Sequence, residues 1–159
     1  MSVAFTKETD LEATAADLPD RPVSTQPNLV TPEGLAFLDG ALEAARAAYA
    51  DAQAVGDIEA DRTAMARATR DLRYYNARRA SAQVQEMVEG SDTVVFGSRV
   101  TFDRDDGRRQ TFRIVGEDEA DPEKGSVSYV SPLAQALLGK RVGDEAKVAG
   151  QDVEIVGIA

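Results

Sequence analysis

The sequence predicts an α+β protein, an antiparallel α-helical hairpin (a coiled coil) followed by a small β-rich domain with one helix. Three observations predict it. Apolar residues recur at alternating spacings of three and four from Leu35 to Ala52, the period of one helix face. Gly56-Asp57 interrupts that run, and a second helical run extends from about Glu59 to Val88. Beyond Gly90-Ser91-Asp92 the pattern changes to short runs of β-branched and aromatic residues, which suit strands.

The elements follow in order. Residues 1–28 hold Pro19, Pro22, Pro27 and five acids without sustained periodicity, so they read as a flexible or loosely docked acidic arm. A solvated tail explains that composition; a partner-binding segment anchored by Val3, Phe5 and Leu11 is the other reading. Residues 29–90 form the hairpin, with its tip near 56–61. Thr31-Pro32-Glu33 starts the first helix: a hydroxyl cap, a proline at the first helical position, and an acid at the positive end of the dipole. Leu35, Leu38, Leu42, Ala45, Tyr49 and Ala52 then make an a/d seam. In the second helix Met65, Ala68, Leu72 and Tyr75 keep that spacing, and Ala77, Ala80, Val84 and Met87 continue it in a shifted register. At 1.5 Å per residue the first arm is about 35 to 40 Å long.

Residues 91–159 form the β-rich domain. Strands are expected at Val94–Phe96, Arg99–Phe102, Thr111–Val115, Val127–Val130, Ala146–Val148 and Val153–Ile158. Asp105-Asp106-Gly107 marks a turn between two of them. Ser131-Pro132 caps one helix, Leu133, Ala134, Leu137 and Leu138 supply its apolar face, and Gly139 stops it.

Composition excludes much chemistry. With no cysteine and no histidine, the chain can build no disulfide, thiolate metal site or His-based triad, so a stand-alone enzyme is not expected. The absence of a signal-peptide pattern or long apolar stretch points to a cytoplasmic protein without membrane association. A formal charge of −10 argues against independent DNA binding, which needs a net basic surface. The charge is uneven: residues 59–89 carry a net +1, and all six bases there are arginines.

The stretches Val95-Phe96-Gly97-Ser98-Arg99-Val100, Thr111-Phe112-Arg113-Ile114-Val115-Gly116 and Asp118-Glu119-Ala120-Asp121 come in that order. Ser131-Pro132-Leu133-Ala134, Leu137-Leu138-Gly139-Lys140 and Val142-Gly143-Asp144 follow. Together these resemble the C-terminal domain of the GreA and GreB transcript-cleavage factors over about residues 94–159. The resemblance implies an FKBP-like domain without prolyl isomerase activity, and a preceding coiled coil that enters the secondary channel of bacterial RNA polymerase. Gly56-Asp57-Ile58-Glu59-Ala60-Asp61 resembles the family's acidic hairpin tip. The tip acids Asp57, Glu59 and Asp61 would then contact a Mg²⁺ shared with the polymerase active site, since Mg²⁺ is often held by only one or two protein carboxylates. No intrinsic cofactor is implied.

Ala60 stands where the family places its second tip acid, and the first arm is shorter than the family's by several turns. Two activities stay open: stimulated RNA cleavage, or occupation of the channel to modulate elongation or initiation without cleavage. Arg62, Arg67, Arg70 and Arg73 would meet the channel or the RNA 3′ end, or form a solvated face paired with acids such as Glu43 and Asp51. Val130, Ser131 and Pro132 match the family's loop at the channel rim; an ordinary helix cap accounts for Ser131 equally well. Acids in a helix's first turn are also favourable in their own right. The partner expected is RNA polymerase, bound by a monomer. The alternative is a protein-interaction adaptor that keeps the fold and binds another partner through the N-terminal arm.

Overall fold

Thr31 fixes where the first long helix begins. Its hydroxyl accepts a hydrogen bond from the Gly34 amide at 3.0 Å, satisfying one of the free donors at a helix start. Helix α1 then runs Pro32–Ala54, and a second helix, α2, runs Ile58–Ser81. The structure is a computed structural model that describes residues 18–54 and 58–159, with residues 58–61 as backbone alone. Two compact units result: residues up to Thr25 with Leu38–Ser81, and Gln26–Phe37 with Ala82–Ala159.

In the helical unit the predicted seam is the buried one: Leu38, Leu42, Ala45 and Ala52 on α1 and Ala68 on α2. Asp39 pairs with Arg79 at one end of the helices, while Ala52 and Met65 line one groove towards the other. The two helices are therefore antiparallel. The shifted register expected after Tyr75 does not occur. Ala77 and Ala80 are exposed, and the residue buried in that stretch is Arg78.

Helix α2 also stops at Ser81 rather than near Val88. The Ser81 hydroxyl donates back to the Ala77 carbonyl at 2.9 Å. Beyond it, the Gln83 amide donates to the Asn28 carbonyl at 2.8 Å and the Gln85 amide to Val30 at 2.9 Å. Once the donors find acceptors outside the helix, no reason remains to continue it. The result is a two-stranded parallel ladder of β1 (Leu29–Val30) and β2 (Gln83–Val84), which leaves Val84, Met87 and Val88 exposed.

The β-rich unit holds a five-stranded mixed sheet. Its strands are β3 (Arg99–Arg104), β4 (Arg109–Val115), β5 (Ser126–Ser128), β6 (Glu145–Val148) and β7 (Gln151–Ile158), in the order β5-β4-β3-β7-β6. β5 runs parallel to β4; the other neighbours are antiparallel. Gly107 turns the β3–β4 hairpin at φ 84°. Ala149 and Gly150, both at positive φ, make the two-residue turn between β6 and β7 that a tight hairpin favours. One short helix, α3 (Pro132–Leu137), packs against β5 and β6. Val100, Phe102, Ile114, Ala134, Leu137, Val153 and Ile155 form the core.

Val94–Phe96 is not a strand. Val94 is buried and exchanges backbone bonds with Lys140 and Gly139, and the Val95 amide is taken by the Ser98 hydroxyl at 3.0 Å. Val130 likewise falls outside β5, because its amide bonds to Ser128 Oγ at 3.2 Å and turns the chain.

The arm, read from the sequence as flexible or loosely docked, is described from Leu18 to Asn28. Asn28 is buried, and the Tyr129 hydroxyl donates to the Pro27 carbonyl, with Phe96 packed edge-on to the Tyr129 ring at 5.7 Å.

The first turn of α1 belongs to the β-rich unit, held there by Glu119. Thr31 is fully buried; its amide donates to Glu119 Oε2 at 3.0 Å and its hydroxyl to Glu119 Oε1. Glu33 lies 3.6 Å from Arg113. Its carboxyl is held below the ordinary value, first by its own amide at the helix start and then by the Arg113 charge.

Candidate functional site

Asp57, the first tip acid, lies outside the described residues, as do the side chains of Glu59 and Asp61. The backbone of both opens α2. Among the described residues no cluster of three or more acids could hold a metal ion, and no helix is long and apolar enough to cross a membrane.

The arginine face of α2 is built by helical spacing. Arg62, Arg70 and Arg73 line a groove of about 940 Å³ together with Met65, Ala66 and Thr69 of α2, Ala52 and Gln53 of α1, and Leu18 and Asp20 of the preceding segment. Arg67 is exposed and lies outside that lining. Acids that pair with α2 arginines include Asp20, Asp39 and Asp71. Arg73 Nη1 is 3.1 Å from Asp20, and Arg70 Nε is 4.0 Å from Asp71. Each exposed pair contributes only about 0 to 1 kcal/mol. Arg70 Nε is nevertheless buried, with no hydrogen-bond acceptor.

Arg21 is a residue that sequence reasoning missed. Its guanidinium sits 3.9 Å above the Tyr74 ring and 5.1 Å from the Tyr75 ring, and Nη1 reaches Asp71 at 3.3 Å. These contacts raise its pKa, chiefly through the hydrogen bond with the Tyr75 side chain. A cation over an aromatic face is stabilised by the ring quadrupole. A lone arginine in an acidic stretch gives no spacing signal, so nothing in the sequence pointed to this contact.

On the β-rich unit, Val130, Ser131 and Pro132 form the corner between β5 and α3. Ser131 has extended backbone, and its hydroxyl accepts from the Ala134 amide at 3.2 Å. Pro132 occupies the first helical position and is exposed. Gln135 Nε2 donates to the Tyr129 carbonyl at 2.7 Å, closing the corner. The cap is thus real, and it presents Pro132 outward. Ser131→Ala is expected to lower stability by about 1 kcal/mol, with Ser131→Asp retaining most of it, as read by urea denaturation.

Residues 89–159 match the family model described as Transcription elongation factor, GreA/GreB, C-term. The chain is 35% identical over 150 residues to the transcription elongation factor GreA of Desulfovibrio desulfuricans, spanning 87% of this chain and 93% of that one. It is 37% identical over 109 residues to the transcription elongation factor GreB of Neisseria meningitidis serogroup B, spanning 65% of this chain and 67% of that one. Among solved structures it is similar to GreA factor homolog 1 (Gfh1) of Thermus thermophilus, at 24% identity and a TM-score of 0.40, covering 84% of this chain and 99% of that one.

Proposed function

Because this chain belongs to the GreA/GreB family of transcription elongation factors, we propose that it binds bacterial RNA polymerase and inserts its helical hairpin into the secondary channel. There it modulates elongation or initiation without stimulating transcript cleavage. The observation that carries the reading is the similarity to a GreA over 93% of that protein's length. It spans far more than the C-terminal domain that the family model describes.

In this reading Val130, Ser131 and Pro132 meet the rim of the channel. The support is an outward, rigidly capped corner with an exposed proline. Arg62, Arg67, Arg70 and Arg73 face the channel wall or the RNA 3′ end, where a basic face on an otherwise acidic chain would be attracted to phosphate. Asp57, Glu59 and Asp61 lie towards a Mg²⁺ shared with the polymerase. Mg²⁺ held mainly by another protein needs only one or two such carboxylates. Ala60, where the family carries its second acid, supports channel occupation without cleavage. The factor acts as a monomer and supplies no catalytic residue; any RNA chemistry belongs to the polymerase.

Retention of the tagged full chain on bacterial core RNA polymerase tests the binding step. Stoichiometric retention is expected; a chain that passes through polymerase-loaded resin unbound would sink the proposal.

A further inference from the structure

We propose that the groove on the arginine face of α2 is an intramolecular docking site for the chain's own acidic segment, Met1–Asp17. The groove lies wholly within the helical unit and is lined by Arg62, Arg70 and Arg73 above an apolar floor of Ala52, Met65 and Ala66. Leu18, the first residue described, is itself part of the wall. The residues after it are fastened to the same helix: Asp20 to Arg73, and Arg21 to Asp71 and over Tyr74. The preceding chain is therefore delivered at the rim of the groove.

Charge and composition match. Met1–Asp17 carries Glu8, Asp10, Glu12 and Asp17 against a single Lys7, with Val3, Phe5 and Leu11 as apolar anchors. The wall supplies cations: Arg73 meets Asp20 at 3.1 Å and Arg70 approaches Asp71 only at 4.0 Å, so further carboxylates would extend an ion-pair network already begun. A carboxylate brought beside Arg70 meets a guanidinium screened less than one in open water. Length is ample. From Arg62 to Arg73 the groove extends about 16 Å along the helix, and 17 extended residues reach about 55 Å.

The consequence is a basic face covered by the chain's own acids until a stronger anion displaces them. The inference stands apart from polymerase binding, since both partners lie in one chain.

The chain has no cysteine, so a spin label can be placed uniquely at Thr6→Cys in the full-length protein. The amide resonances of Ala52, Met65 and Thr69 should lose intensity relative to the reduced label. Adding Glu8→Gln, Asp10→Asn and Glu12→Gln should restore that intensity, as should salt raised to about 1 M, where the Debye length falls to about 3 Å. Unchanged intensities at these three residues would overturn the proposal, as would a loss that survives the neutral variant. A loss seen only when label and isotope are on different molecules would identify a second copy as the occupant and overturn it too.

Discussion

Glu119→Ala lowers the stability of the β-rich unit by about 3 kcal/mol, the cost of leaving two buried donors without an acceptor. Thr31 is fully buried, and it gives both its amide and its hydroxyl to this one carboxylate. Neither donor can turn to water. The hydroxyl retains only its accepting role, from the Gly34 amide. The loss should appear in urea denaturation as a lower midpoint at unchanged slope. Thr31→Val provides the second edge of a double-mutant cycle, and a coupling of about 1 kcal/mol or more is expected for groups in direct contact. A loss below about 1 kcal/mol for Glu119→Ala would show that the helix start is held by something else.

Gly116→Ala is expected to cost about 2 to 3 kcal/mol, by overpacking alone. The Gly116 backbone is not among those at positive φ, so strain in its own dihedrals is not the cause. A Cβ there would overlap the Leu29 carbonyl oxygen and come within 3.4 Å of Val30 Cα. Those atoms cannot easily give way. Leu29 and Val30 are in register with Gln83 and Val84, and the Leu29 amide is tied to the Pro27 carbonyl at 3.0 Å. Gly34→Ala is the informative contrast. Its Cβ would overlap the Glu119 carboxylate, which can move aside only by giving up the buried Thr31 amide and hydroxyl, so the gain of about 1 kcal/mol in helix propensity offsets only part of the damage. Thermal melts should show both variants well below the parent chain; a Gly116→Ala variant that melts with the parent would contradict this account of the close approach.

These two sites show what the sequence could and could not reveal. Thr31 was legible as a helix cap, because the residues that define a cap are neighbours. That the Thr31 amide and hydroxyl would bond to Glu119, 88 positions on, carries no local signal. The seam of α1 was legible for the same reason as the cap: Leu38, Leu42, Ala45 and Ala52 repeat with the helix and are buried. The later part of α2 was misread because Ala77, Ala80, Val84 and Met87 have helical spacing by composition, whereas the backbone after Ser81 is claimed by Asn28 and Val30. Pairing between segments this far apart is invisible to periodicity.

Five of the six expected strands are present. Val94–Phe96 has strand composition but spends its hydrogen bonds on Lys140, Gly139 and Ser98. For the site, the arginines were legible as a face and the corner at Ser131 as a cap. The ion pairs that fasten Asp20 and Arg21 to α2 depend on the path of a proline-rich segment that no spacing rule describes.

The central claim is channel occupation without cleavage, and a backtracked elongation complex of bacterial RNA polymerase tests it most directly. The RNA is labelled, and its length is followed with and without the full chain. The account predicts that the chain alters resumption of synthesis while the amount of shortened RNA stays at the level of polymerase alone. Accelerated release of short 3′ fragments, lost again in Asp57→Ala, would contradict it.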